Sequence, residues 1–535
     1  MSPRMTDTFK RFALLAILVA SFLLGNWAFR GAQQEPAAAY SSDSLASDLR
    51  LFSEIMLRLN RHYVEAIPSD AMLQDAIDSV MDDLDPHTHY FDAEDFARFQ
   101  DDTSGHFGGI GVTIQSIDDT VTVMNTLPDT PAWRAGIVAG DRLIAVDGVS
   151  LVGHSADDAV ELMRGEVGTS LLVTVARPGV PQPVEFPLQR AQVNIDSVPY
   201  AFVLDDGVGY IRLQQFNANA SQELHSALQS MQQSDVRGLI MDLRGNPGGL
   251  LNEAIDTVSE FLGADRLVVS TRGRLPMYDQ DFFTTRTATV GELPLVVLIN
   301  EGSASASEIF AGALQDYDRA LVMGETSFGK GSVQQLFPLS QGGLKLTTSY
   351  YYIPSGRCIH KAENDDLLLG REVGTAHSPC ADSVFTTQAG RVVMGGGGIT
   401  PDIAAVEVTL DRSARRLRAR SAFFQFVTKQ LQQAPASASD ELPPAARQEF
   451  YDTYVREVYR DEDAIAHDRE WIDAELRATW IELGYDVSEG QRVRVQADPL
   501  VKQAAALLAQ AATQSELFAV AGVTTPVAGV QRPTP

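Results

Sequence analysis

The stretch NEGSASASEIFAG (300–312) sets Ser303, Ser305 and Ser307 two residues apart, directly after the apolar β-forming run PLVVLIN. A serine hydroxyl becomes a nucleophile only beside a base that can take its proton. Without one, serines at a strand-to-helix junction are caps and turn formers for the first helical turn. The usual base is histidine, yet no G-x-S-x-G elbow surrounds these serines and the nine histidines fall into no triad pattern. Lys330 is the other candidate, flanked by glycines in GETSFGKGSVQQLFPL, 25 residues beyond Ser305. A free lysine has a pKa of about 10.4, so one that works as a base near neutral pH needs a tight, water-poor pocket. Flanking glycines let the backbone approach closely enough to build one.

The elements that must position these residues follow an α/β pattern from residue 195. Strand GVGYIRLQQF, helix SQELHSALQSMQ, strand VRGLIMDLRGN, helix GLLNEAIDTVSEFL, strand PLVVLIN, helix ASEIFAGAL and strand ALVMGE succeed one another. The serines therefore fall at the C-terminal end of a core strand, where α/β sheets place their ligands. The glycines of NPGGLL could present backbone N–H groups to a substrate without Cβ obstruction, although a plain strand-to-helix turn explains them as well.

From Gly105 the texture changes to short β-like runs cut by glycine. FGGIGV, PAWRAGIVAGDRLIAVDGVSL and the helix HSADDAVELMRG followed by GTSLLVTVAR together resemble a PDZ domain over Gly105 to Arg190. The resemblance implies that a peptide tail adds to an open sheet edge while Gly108, Gly109, Ile110 and Gly111 hold its carboxylate. Arg164, in ELMRGEVGT, reads in two ways. It is a solvated cation at a helix end, or a sensor that reports an occupied PDZ domain to the peptidase core through a salt bridge.

GSASASE, FGKGSVQ and the upstream DLRGNPGGLL resemble the C-terminal processing, or tail-specific, serine peptidases. The likeness runs from the PDZ segment to GGGGITPDI at 395–403, a little over half of the chain. It implies an α/β, crotonase/Clp-protease-like peptidase core with an inserted β-rich PDZ domain and helical N- and C-terminal extensions. It also implies a Ser–Lys dyad, with Ser305 as nucleophile, Lys330 as base and Gln334 orienting the lysine. Ser303 and Ser307 then have cap and packing roles. The oxyanion donors would be the N–H groups of Gly249, with Gly248 its near rival, and of Ala306. Glu308 shares the helical face of Ser305, as support for the site or as a first-turn acid complementing the helix dipole. No cofactor, metal or nucleotide is implied, and the substrates would be proteins or peptides with free apolar C-termini. Two rival functions are a catalytically silent PDZ scaffold and a crotonase-type acyl-CoA enzyme. The second has no evident use for a PDZ domain or the lysine.

The remainder bounds these readings. Forty-two Lys+Arg against 70 Asp+Glu give a formal charge of −28, which repels phosphate backbones and argues against nucleic acid as a partner. Residues 1–30 carry basic residues and then the uncharged run 12–29, the pattern of an export signal or, preferably, an uncleaved membrane anchor with the bulk of the chain outside the cytoplasm, in the periplasm or cell envelope. Cys358 and Cys380 are expected as a disulfide, with free thiols or a metal pair with His360 or His377 as alternatives. Residues 41–100 read as helical, from Ser44 to Ala97, and as a packing or dimerisation arm. Within them, His87 and His89 of DPHTHYFDAEDF suggest a metal, but an acidic helix start explains the stretch more cheaply. The expected divisions are 1–30, 41–100, the PDZ domain at 105–190, the peptidase core at 195–410, a helical extension at 411–522 for oligomer or adaptor contacts, and a loose tail at 523–535.

Overall fold

The computed structural model describes residues 42–361, 380, 383–405, 410–433 and 441–523. The expected membrane segment at 1–30, His377 and the tail beyond 523 lie outside the described residues. Two compact units emerge, Met1–Val80 and Met81–Pro535. In the first, helix Ser42–His62 exposes the apolar stripe of Leu45, Leu49, Phe52, Ile55 and Leu59, and helix Ser69–Asp82 begins after Pro68. Among the described residues no helix is long and apolar enough to cross a membrane.

The helical reading of Ser44 to Ala97 fails in its later part. Prolines at 68 and 86 disfavour helix in the residue before them and interrupt the run. Asp85 instead closes a turn by accepting from the N–H groups of His87 and Thr88 at 2.9 and 3.0 Å. Strand His89–Phe91 follows, and only then helix Ala93–Ser104, whose cap Asp92 accepts from Glu94 and Asp95 N–H. The acidic helix start is there, but it begins at Asp92.

The PDZ domain is an antiparallel sheet in the order Val112–Ile117, Thr120–Thr126, Arg142–Val146, Ser170–Ala176, Val184–Gln189. Its core gathers Ile110, Val121, Val123, Leu143, Val173 and Val175. Helix Ala156–Met163 is fixed by a capping box between Ser155 and Asp158. A two-stranded neck, His106–Gly109 with Ala191–Asn194, joins the domain to the rest of the chain.

The peptidase core centres on a six-stranded sheet. Tyr200–Val203 runs antiparallel to Gly209–Arg212, and Leu239–Asp242, Leu295–Ile299, Leu321–Gly324 and Ile403–Ala404 follow in parallel. The middle strands are buried at every residue, as a parallel sheet covered on both faces requires. Alternate residues sort onto the two faces: Leu239, Met241, Val297 and Val322 meet Leu224, Leu228, Val258 and Phe310 of the intervening helices. Ile240, Val296, Leu298 and Met323 meet Leu500, Val501, Leu508 and Leu517.

The last four belong to helices Pro499–Leu508 and Gln514–Val520, so packing carries the catalytic core well past residue 410. Burial of such side chains stabilises by about 1.5–3 kcal/mol each, which makes this part of the C-terminal extension a structural half of the core. A separate cluster around Phe423, Phe426, Phe450, Ile472 and Leu476 holds the remaining C-terminal helices together.

A second sheet flanks the site. Gly343–Tyr352 is its long central strand, pairing with Ser332–Pro338 in a hairpin and with Leu267–Gly273 and His89–Phe91.

Candidate active site

Ser305 lies between strand Leu295–Ile299 and helix Ala306–Asp316 with φ 55° and ψ −112°, the left-handed side of backbone space that non-glycine residues rarely occupy. The other two serines are fully buried and engaged. Ser303 Oγ donates to Leu243 O at 2.8 Å and accepts from Asn300 N–H at 3.0 Å, while Ser307 Oγ donates to Asn246 O at 2.9 Å. Both bind the helix start to the DLRGN loop. Ser305 alone of the three retains partial exposure.

Glu308, one turn into the helix, is wholly buried. Its Oε1 accepts from Ser327 Oγ (2.6 Å) and Gly329 N–H (2.7 Å), and its Oε2 from Ser305 N–H (2.8 Å) and Lys330 N–H (2.9 Å). Burial pushes its carboxyl pKa up, against the pull of these four donors. One carboxylate oxygen thus holds the backbones of Ser305 and Lys330, and the two nitrogens are no farther apart than those hydrogen bonds laid end to end. The plain first-turn acid is in fact a hub of the site.

Tyr351, which the sequence reading missed, reinforces the same join. Its buried hydroxyl is directed at both the Ser305 carbonyl, at 3.1 Å, and the Lys330 carbonyl. Burial and the charge of Glu308 raise its phenol pKa well above the ordinary value. It sits among three consecutive tyrosines, and only the strand's side-chain alternation could have singled out the inward one.

Gln334 stands opposite Thr347 in the hairpin. Its Nε2 donates to Ser332 Oγ at 3.0 Å and Thr347 Oγ1 at 3.2 Å, which leaves Oε1 as its acceptor end.

The Asn246–Gly249 loop packs against Ser305. A Cβ on Gly248 would lie 2.9 Å from Ser305 Cβ and 2.9 Å from Ala306 N, so only glycine fits. The Gly248 N–H is engaged by Asn246 Oδ1 at 2.9 Å. Gly249 lies at the turn, bridged to Phe216, and Ala306 is the first residue of the helix.

Beneath this loop, Asp242 is buried and accepts from Tyr210 OH (2.8 Å), Arg212 Nη1 (3.1 Å) and Arg244 Nη2 (2.6 Å). Burial alone would raise its pKa, but the Arg244 and Arg212 charges hold it below the ordinary carboxylate range. Arg244 also pairs at 2.8 Å with Asp498, the cap of helix Pro499–Leu508, and so connects the C-terminal helices to the site. DLRGN was read for its glycines, and its charged pair went unnoticed.

Cys358 and Cys380 are joined as a disulfide, with Cα atoms 5.4 Å apart, which removes the free-thiol and metal-pair alternatives. The bridge sits next to the lysine loop: Lys361 N–H donates to Gly329 O at 2.8 Å. His360 is buried and packs on Tyr350, ring centres 5.0 Å apart.

In the PDZ domain the four expected loop residues divide. Gly108 and Gly109 pair with Gln192 and Ala191 in the neck. Ile110 is buried in the core and Gly111, at φ 76°, leads into the edge strand Val112–Ile117. Arg164 ends helix Ala156–Met163 with Nη1 3.1 Å from Asp102 and its guanidinium 4.4 Å from the Phe107 ring centre. Of the two readings of Arg164, the helix-end position is there, and its salt bridge is made to Asp102, on the helix that leads into the PDZ domain.

The α/β sheet carries a serine beyond the C-terminal end of a central strand, and a PDZ domain stands on a two-stranded neck. The model of peptidase family S41 matches residues 207–366 and that of the PDZ domain residues 122–177. A carboxy-terminal-processing protease of Bartonella bacilliformis is 40% identical over 316 residues, 58% of this chain and 72% of that protein. A carboxyl-terminal-processing protease of Synechocystis sp. is 39% identical over 297 residues, 54% of this chain and 68% of that one. The chain belongs to the carboxy-terminal-processing proteases of peptidase family S41. Among solved structures, the photosystem II D1 C-terminal processing protease is 26% identical and covers 69% of this chain and 94% of its own, with a TM-score of 0.36.

Proposed function

We propose that the chain cleaves proteins by a Ser305–Lys330 dyad after capturing their C-terminal tails in the PDZ domain. The observation that carries this reading is the single Glu308 oxygen shared by the Ser305 and Lys330 N–H groups. As Ser305 Oγ attacks the scissile carbonyl, its proton passes to the neutral Lys330 amine, and Gln334 Oε1 accepts a hydrogen bond that holds this amine in line. The Gly249 and Ala306 N–H groups receive the oxyanion. The Lys330 ammonium then protonates the leaving amine. The ester on Ser305 is cleaved by a water whose proton Lys330 takes and then returns to the departing Ser305 Oγ.

A substrate tail pairs with the open edge of Val112–Ile117, its carboxylate at Ile110 and Gly111. The basic residues ahead of the uncharged run 12–29 support export and anchoring, checked by whether the chain resists alkaline extraction from membranes.

The dyad is tested with an unfolded protein as substrate. Ser305→Ala and Lys330→Ala should each lose cleavage while keeping the native circular dichroism spectrum, and turnover by either well-folded variant would refute it.

A further inference from the structure

The two ends of the Gln334 amide are nearly equal in size and opposite in hydrogen-bonding sense, so its surroundings must decide which end faces the amine of Lys330. Thr347 makes that decision. Its hydroxyl has one proton, and that proton is directed at Asp85 Oδ1, 3.1 Å away. With it engaged, Thr347 Oγ1 can meet Gln334 only as an acceptor, which admits the NH2 end and rejects the carbonyl end.

Asp85 is itself held firmly. Besides the two N–H groups of its own turn, its Oδ2 accepts from Thr88 Oγ1 at 2.8 Å, and Thr88 Oγ1 in turn accepts from Thr347 N–H at 3.2 Å. Strand His89–Phe91 then pairs with Lys345, Leu344 and Gly343, continuing the contact along the central strand. The Lys345 amine, 5.6 and 5.4 Å from the Phe91 and Phe99 ring centres, pins the strap that follows. The DPHT turn therefore reaches the hairpin in one geometry, with an acceptor-only carboxylate against the Thr347 hydroxyl.

We propose that Asp85 is a positioning residue of the peptidase: through Thr347 it fixes the Gln334 amide so that Oε1 is the end offered to Lys330. The inference rests on reading Lys330 as the base and Gln334 as its orienting partner. Asp85→Ala removes the oxygen that takes the Thr347 proton, whereas asparagine would keep a carbonyl oxygen there, because the same Oδ1 accepts from the His87 and Thr88 N–H groups. With the oxygen removed, the threonine proton is free to turn toward Gln334 and select its carbonyl, which reverses the amide.

The test uses the full chain and steady-state cleavage of one unfolded protein. Asp85→Ala and Thr347→Val should each lower kcat by about tenfold or more, the order expected for a misplaced reacting group. KM should change by less than about twofold, and Thr347→Ser should restore the rate because it keeps the hydroxyl. The discriminating measurement is the double variant. Asp85→Ala in a Gln334→Ala background should cost nothing beyond Gln334→Ala alone, because the relay has no other outlet.

If Gln334→Ala is slow but the double variant loses the product of the two single losses, Asp85 acts by another route and the relay is overturned. Full kcat in both Asp85→Ala and Thr347→Val overturns it as well. If Gln334→Ala itself turns over at the parental rate, the orienting role of Gln334 fails, and the relay fails with it. Should Asp85→Ala not fold, the Thr347→Val and Thr347→Ser pair decides, since valine keeps the shape of threonine: equal rates in the two overturn the relay.

Discussion

Around Ser305 the polar groups are bound to one another inside the protein, whereas strand Val112–Ile117 of the PDZ domain is, among the described residues, paired on one side only. Glu308 takes four donors, Asp242 is held by two arginines and a tyrosine, and the flanking serines are tied to carbonyls of the next loop. The difference follows from the two tasks. Bond breaking needs donors and a base fixed before the substrate arrives, because reorganising them at the moment of reaction would raise the barrier. Tail capture needs the reverse: backbone groups left for another chain to pair. Substitutions in the first region should therefore disturb stability and turnover together, and changes to the substrate tail should disturb only the second.

The largest effect is expected at Glu308. Glu308→Ala leaves several buried donors without an acceptor, at about 1–3 kcal/mol each, so stability should fall by several kcal/mol and cleavage should be lost. Urea denaturation of the variant beside its activity checks both, and a parental midpoint would break the contrast. Next is the tail. Charge-assisted hydrogen bonds to a carboxylate are worth about 1.5–3 kcal/mol each, so amidating the C-terminus of an apolar-tailed substrate should slow its cleavage about tenfold or more. Equal rates for acid and amide would show that the edge strand serves another partner.

The smallest effect is a slope. Because the arginines depress the Asp242 pKa, its contribution is complete above the ordinary carboxylate pKa of about 3.9 and is lost as pH falls through the lower, folded-state value. Asp242→Asn should be less stable at neutral pH and lose less on acidification. Denaturation midpoints measured from neutral pH down into this acid range check it, and parallel curves for the two proteins would contradict it.

What could be read from the sequence was whatever a local pattern carries: the serine spacing, the glycine-flanked lysine, NPGG and the PDZ motifs. What could not be read depends on strands and helices meeting across long stretches of chain. Nothing near Asp85 says that its carboxylate faces Thr347, and nothing near Asp498 says that it caps a helix against Arg244. The apolar face of Pro499–Leu508 shows that this helix covers something, but the sheet it covers is built from residues 200–404. Periodicity gives the face, and only packing gives its partner. The acidic helix start within DPHTHYFDAEDF was legible and lies at Asp92, but the run from Ser44 to Ala97 was read as helical through the turn at Asp85 and Pro86.

The central claim is that a neutral lysine amine takes the proton of Ser305, and Lys330→Arg tests it most directly. Arginine keeps the positive charge and much of the length but cannot become a base near neutral pH. Single-turnover cleavage of an unfolded substrate by the folded Lys330→Arg protein should be indistinguishable from that of Ser305→Ala. Cleavage by Lys330→Arg at a sizeable fraction of the parental rate would contradict the account.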